Sequence, residues 1–122
     1  MFKKIEAYIR PEKTHAVKKG LQSAGIYGMS FTEVKGHGRQ GGTKLVGRSG
    51  PYMVDMLERV LLMIVVSERN LEKTVSIIQD AAVTGETGDG VIFISSVEDV
   101  IRIRTGERGA NAMTYKGDID DR

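Results

Sequence analysis

An α+β fold, with two helices laid on one face of a four-stranded sheet, is predicted from three observations. Apolar residues recur at strand and helix periods in the order strand, helix, strand, strand, helix, strand. Glycine and proline punctuate the junctions between these runs. Two of the strand-like runs are apolar on both faces, as buried strands are. The order is that of the split βαβ, ferredoxin-like arrangement with a short extra strand, and right-handed crossovers place both helices on the same sheet face.

The first strand is expected from Lys3 to Arg10, where Ile5, Ala7 and Ile9 alternate with Lys4, Glu6 and Tyr8. Pro11 stops it and suits a first helical turn. Val17, Leu21 and Ala24 then follow on one helical stripe, and Gly25 is placed to end the helix in a left-handed turn. A second strand is expected from Met29 to about Gly36. Glycine recurs at 36, 38, 41, 42, 47 and 50, with Arg39, Lys44 and Arg48 between and Pro51 at the end. Such a stretch buries too little apolar surface to offset its ordering entropy, which predicts a long mobile loop, and long loops in compact domains are usually functional.

Arg59 to Ser67 reads as a strand with no polar face, since Val60 to Val66 are all apolar. A helix follows from about Asn70 to Val83, with Leu71, Val75, Ile78 and Ala82 in one stripe. A glycine-rich turn, Thr84 to Gly90 (TGETGDG), leads into Val91 to Ile94, again without a polar face. The last strand is expected at about Val100 to Arg104. Helices cover only one sheet face, so the apolar residues of the other require a cover, and a second copy of the chain is the simplest one.

At 122 residues the chain fits one domain. Its net charge of +2, with 28% charged residues, is too balanced for bulk attraction to polyanions, and 6% aromatics with no aromatic pair on a strand argue against an RNA-stacking sheet. No nucleic-acid partner is expected. The absence of cysteine excludes disulfides, thiolate catalysis and cysteine zinc sites. His15 and His37 are the two histidines, and each reads as an exposed, non-catalytic imidazole. With neither a signal-peptide core nor an apolar run of about 18 residues, a cytoplasmic protein without membrane insertion is expected. No nucleophile and base pair is visible, so no enzyme is expected. Met29, Met53, Met56 and Met63 read as core and interface filler.

Arg102 and Arg104 would share one side of the last strand, with Ile101 and Ile103 on the other. Two guanidinium groups so placed either edge into solvent or hold a phosphate or carboxylate between them. The TGETGDG turn lacks the lysine and hydroxyl of a Walker loop. It is either simple punctuation or a source of backbone amides for an anion.

Together, EVKGHGRQGG at Glu33–Gly42, TGETGDG at Thr84–Gly90 and VIRIRTGE at Val100–Glu107 resemble the PII family of nitrogen and carbon signal-transduction proteins. The likeness covers residues 1–113 as one domain and leaves 114–122 as a polar tail, whose Asp118, Asp120 and Asp121 read as a solvated terminus. The resemblance implies a homotrimer that binds ATP or ADP in clefts between subunits. Gly36, Gly38, Arg39 and Gln40 would form one wall with Ser30. Gly88, Asp89 and Gly90 would supply backbone around the phosphates, and Arg102 and Arg104 would reach in from the adjacent chain. Gln40 would ligate a magnesium ion shared by ATP and 2-oxoglutarate, with Arg59 meeting the distal carboxylate of the keto acid. Residues from about 38 to 56 correspond to the family's T-loop, which docks onto ammonium transporters, metabolic enzymes or transcription factors. Tyr52 aligns with a tyrosine uridylylated in some members, although VGRSGPY departs from the usual context.

Two further positions depart from the family pattern. Val91 stands where a phosphate-binding lysine is usual, a charge-assisted contact worth about 1.5–3 kcal/mol, or roughly one to two decades of affinity. Met63 replaces an acidic residue near the sugar or base. A divergent paralogue that senses ADP, AMP or another small anion is therefore the alternative expectation.

Overall fold

The computed structural model describes residues 1–36, 43–47, 50–54 and 57–121, with 43–54 described by backbone pairing alone. Alternation of apolar residues produces β1 (Phe2–Ile9), a 3-10 turn at Pro11–Lys13 and α1 (Thr14–Ser23), followed by β2 (Met29–Gly36). Two short strands follow, β3 (Thr43–Gly47) and β4 (Gly50–Val54), then the long β5 (Leu57–Ser67), α2 (Leu71–Ala82) and β6 (Gly90–Val97). A last short helix, α3, spans Ala110–Met113. Gly25 adopts a φ of 85°, and its N–H bonds the Gln22 carbonyl at 3.0 Å, the left-handed helix ending that its position predicts.

The main sheet has the order β2-β5-β1-β6, with every neighbouring pair antiparallel. This is the ferredoxin-like α+β fold. The register explains its two faces. Ile5, Ala7 and Ile9 lie beside Ile64, Leu62 and Val60 and, with Val66, form the layer buried beneath Val17 and Leu21 of α1 and Ile78 and Ala82 of α2. The intervening residues point the other way, away from α1 and α2. There Tyr8 meets Phe93 edge to face at 6.2 Å between ring centroids, and Met63, Val91 and Phe93 are 37%, 48% and 55% exposed. Among the described residues the hairpin that follows β6, together with α3, covers the β5 side of this face in part, and Val91 and Phe93 on β6 are left exposed.

Three expectations change. In place of a stretch without secondary structure, β3 and β4 pair from Thr43 opposite Val54 to Gly47 opposite Gly50. Thr43, Val46, Tyr52 and Val54 are β-prone residues between the glycines, and the backbone ladder joins the two segments. The strand expected at Val100–Arg104 is instead one arm of a tight hairpin with a single bridge, Ile101 to Arg108. The Arg102 N–H donates to the Glu107 carbonyl at 2.9 Å and the Gly106 N–H to the Arg102 carbonyl at 2.7 Å. The Thr105–Gly106 turn thus overrides the alternation of IRIR.

The third change concerns the C-terminal residues. Asp120 is 4% exposed, and its carboxylate accepts from the Ser67 N–H at 2.9 Å, the Ser67 hydroxyl and Asn70 Nδ2. Ile119 packs against the core and its N–H donates to the Gly25 carbonyl at 2.8 Å. The tail is therefore docked rather than solvated, with Asp118 half-buried and Asp121 exposed. Among the described residues, no helix is long and apolar enough to cross a membrane.

Candidate functional site

The glycine turn is built around a carboxylate. Asp89 accepts from the Thr84 N–H at 2.8 Å, the Gly85 N–H at 2.9 Å and the Thr84 hydroxyl, while Arg10 Nε meets it at 3.0 Å. Arg10 Nη2 also donates to the Thr87 carbonyl at 2.9 Å. The Thr84 hydroxyl and amide, with Arg10 and the Gly85 amide, hold the Asp89 carboxyl well below the usual carboxylate range, so it stays ionised. Its side chain is thus engaged in shaping the turn. Gly90 has a φ of 109°, and any Cβ there would overlap the Tyr8 carbonyl oxygen. The turn opens onto a cavity of about 390 Å³ that Asp89 and Gly90 line with Tyr8, Gln79 and Val91.

The arginine hairpin lines a different and larger cleft of about 660 Å³, with Ser30, Met63 and Val65 as its floor. Arg104 is exposed at its mouth. Arg102 is held inside: Nη2 donates to the Ala112 carbonyl at 3.0 Å, Nη1 lies 3.6 Å from Glu107 Oε1, and the Tyr115 ring covers the guanidinium at 4.6 Å. Its Nε is buried without a hydrogen-bond partner among the described residues. A buried unpaired donor costs about 1–3 kcal/mol. Arg108 pairs with Asp99 at 2.6 Å across the base of the hairpin, and this contact, with the Val100 N–H, lowers the Asp99 carboxyl.

Ser30 thus sits with the arginines rather than with Gly36, which ends the same strand about 20 Å away at the strand rise. Met63, read as core or interface filler, is 37% exposed and lines the floor of this cleft. Ile103 is 100% exposed and Ile101 51%, whereas Arg102 is half-buried. Arg59 lies apart, half-buried in a cavity of about 270 Å³ with Pro11, Lys35 and Glu58. His37, Gly38, Arg39 and Gln40 lie outside the described residues, as does the side chain of Tyr52. His15 is exposed. Among the described residues no group of three or more His, Cys, Asp or Glu converges to hold a metal.

One chain does not bring the glycine turn and the arginine hairpin together. Gly90 opens β6 at one edge of the sheet, and Ser30 lies on β2 at the other, three strand spacings or about 14 Å across. The cavities they line share no residue.

The family model described as "Nitrogen regulatory protein P-II" matches residues 2–107. The chain belongs to the P-II family. "Nitrogen regulatory protein P-II" of Rhizobium meliloti is 49% identical over 111 residues, covering 91% of this chain and 99% of that protein. "Nitrogen regulatory protein P-II 1" of Methanothermobacter thermautotrophicus is also 49% identical, covering 91% and 96%. Among solved structures, that of Arabidopsis thaliana PII bound to citrate superposes with a TM-score of 0.75 at 37% identity, covering 91% of each chain. P-II proteins are nitrogen-regulatory signal-transduction proteins, so regulation rather than catalysis is the role of this family.

The family match includes the glycine turn and both cleft arginines but ends before Ala112, Tyr115 and Asp120. Sequence reasoning missed these three, together with Arg10. Arg10 and Asp89 are 79 positions apart and Asp120 and Ser67 are 53 apart, so neither pairing leaves a local signal. The aspartate within a glycine turn was the one available hint, since short acidic side chains cap nearby amides.

Proposed function

We propose that this chain is a P-II regulator that binds an adenine nucleotide in clefts between neighbouring copies of a homotrimer and controls a partner protein through residues of about 38–56. The observation that carries this reading is the placement of the glycine turn and the arginine hairpin on opposite sides of the sheet, beside a partly exposed apolar face. A cyclic assembly that buries Met63, Val91 and Phe93 would bring one chain's turn to the next chain's arginines. Phosphates would then meet turn amides on one side and Arg102 and Arg104 on the other. Gly36, Gly38, Arg39 and Gln40 would complete the turn side.

Magnesium would be held by Gln40 and by the ligand's own oxygens, with 2-oxoglutarate reaching toward Arg59. The partner would be an ammonium transporter or a metabolic enzyme, met in the cytoplasm. Signalling requires the nucleotide to prefer one arrangement of the partner-binding segment over another. Tyr52, on β4 of that segment, is a candidate for modification. Calorimetry with ATP, ADP and AMP, with and without magnesium and 2-oxoglutarate, tests the reading. Micromolar binding that Arg104→Ala weakens at least tenfold supports it, and no heat from any nucleotide at millimolar concentration rejects it.

A second reading is favoured by Val91 and Met63. The turn lacks a lysine beside it and the cleft floor lacks an acid, so a divergent regulator could prefer ADP, AMP or a small carboxylate. The citrate bound by Arabidopsis PII is consistent with carboxylate ligands in this family. An affinity order placing AMP or citrate ahead of ATP selects this alternative.

A further inference from the structure

We propose that residues 112–121 form a strap that withholds Arg102 from an incoming anion and is displaced when the anion binds. The proposal rests on the nucleotide reading above but concerns a segment beyond the family match, which ends at residue 107.

The strap is fixed at both ends. At its start, Ala112 is 5% exposed and its carbonyl accepts from Arg102 Nη2. At its end, Asp120 is buried against Ser67 and Asn70, Arg69 Nη2 reaches its carbonyl at 3.2 Å, and the Ile119 N–H is bonded to Gly25. Between these anchors Tyr115, Lys116 and Gly117 are exposed, and Tyr115 lays its ring across the guanidinium. Met113 and Tyr115 also form part of the wall of the arginine cleft.

The two arginines are consequently unequal. Arg104 is presented to solvent, whereas Arg102 has one donor turned inward to a carbonyl, one face under an aromatic ring and its Nε shut away unpaired. A phosphate or carboxylate engages arginine best through two parallel N–H donors. To present the Nε and Nη2 pair, Arg102 must leave the Ala112 carbonyl, and turning out of the pocket that buries Nε also takes it from under the Tyr115 ring. The anion would satisfy the orphaned Nε in exchange, so strap docking and bidentate anion binding exclude one another. By linkage, whatever factor the strap subtracts from anion affinity, the anion subtracts from strap docking.

The test compares the full chain with Tyr115→Ala, Tyr115→Phe and a chain ending at Met113, using ATP as probe. Calorimetry gives affinity, and amide hydrogen exchange at Ser67 and Ile119, whose N–H groups are bonded through the tail, reports docking. Tyr115→Ala should tighten ATP binding about two- to fivefold, the size of one exposed cation–π contact removed from a competing state. The shortened chain should tighten it at least as much, Tyr115→Phe should match the parent, and ATP should speed exchange at Ile119. Weaker or unchanged ATP binding in both Tyr115→Ala and the shortened chain, with the parent binding normally, overturns the strap and leaves the nucleotide reading intact. Silence toward ATP from every form overturns both.

Discussion

Asp89 holds the glycine turn by its side chain and so acts on any ligand only through the shape of the backbone. Asp89→Asn keeps the size but loses the charge that Arg10 and two amides require, and nucleotide affinity should fall about tenfold in calorimetry. Because the folded-state carboxyl sits below its unfolded value, its stabilising contribution is full above about pH 4 and is lost as pH falls through the lower folded value. Turn integrity, read by amide exchange at Thr84 and Gly85, should therefore be flat from pH 5 to 8 and decline only below about pH 4.

Asp120 gives a contrasting case at the same scale. Burial pushes its carboxyl up, but the Ser67 hydroxyl and amide, Asn70 and Arg69 outweigh burial and leave it below the usual range. Asp120→Ala should lower stability by about 1–3 kcal/mol by stranding the Ser67 N–H and Asn70 amide, measured as a shift in denaturant midpoint. At position 91 the expected change is a gain. Val91→Lys should tighten ATP binding by about one to two decades if phosphates lie against the turn, and no change would remove them from that place.

At the scale of elements, the outcome separated periodic segments from those defined by distant partners. Both helices and the β1, β2, β5 and β6 strands were legible within a few residues, because Val17 and Leu21, or Ile5, Ala7 and Ile9, reveal which face is buried. Alternation misled at Ile101–Arg104, where the turn after Arg104 folds the chain back before it can pair with the sheet. Glycine content misled at 43–54, where backbone pairing needs no buried side chain. In the tail, nothing local distinguishes Asp120, which is buried, from Asp121, which is exposed, because the difference is made by Ser67 and Asn70. The candidate site was legible as motifs but not as geometry: the sequence singled out Arg102 and Arg104, but not the carbonyl and ring that hold Arg102. Gly90→Ala tests the element junction itself. The clash with the Tyr8 carbonyl and the positive φ should cost about 3 kcal/mol or more, whereas Gly85→Ala, with open space around its Cβ, should cost about 1 kcal/mol.

For the whole molecule, the exposed part of the apolar sheet face and the separation of the glycine turn from the arginine hairpin make the same demand on the proposed assembly. Tyr8, Met63, Val91 and Phe93 leave an apolar surface that a neighbouring copy would bury, and Phe93→Glu should shift the mass in native mass spectrometry from trimer toward monomer. It should abolish nucleotide binding at the same time, although Phe93 lines neither the turn cavity nor the arginine cleft. Complementation tests most directly whether each cleft is shared between chains. Arg104→Ala and Arg39→Ala proteins, each defective in ATP binding, are unfolded together, refolded as a mixture and titrated. Clefts built from two neighbours predict recovery of about a quarter of the parental sites, the share in which an intact arginine wall meets an intact glycine wall. A mixture of assembled trimers as silent as its two components would contradict the account.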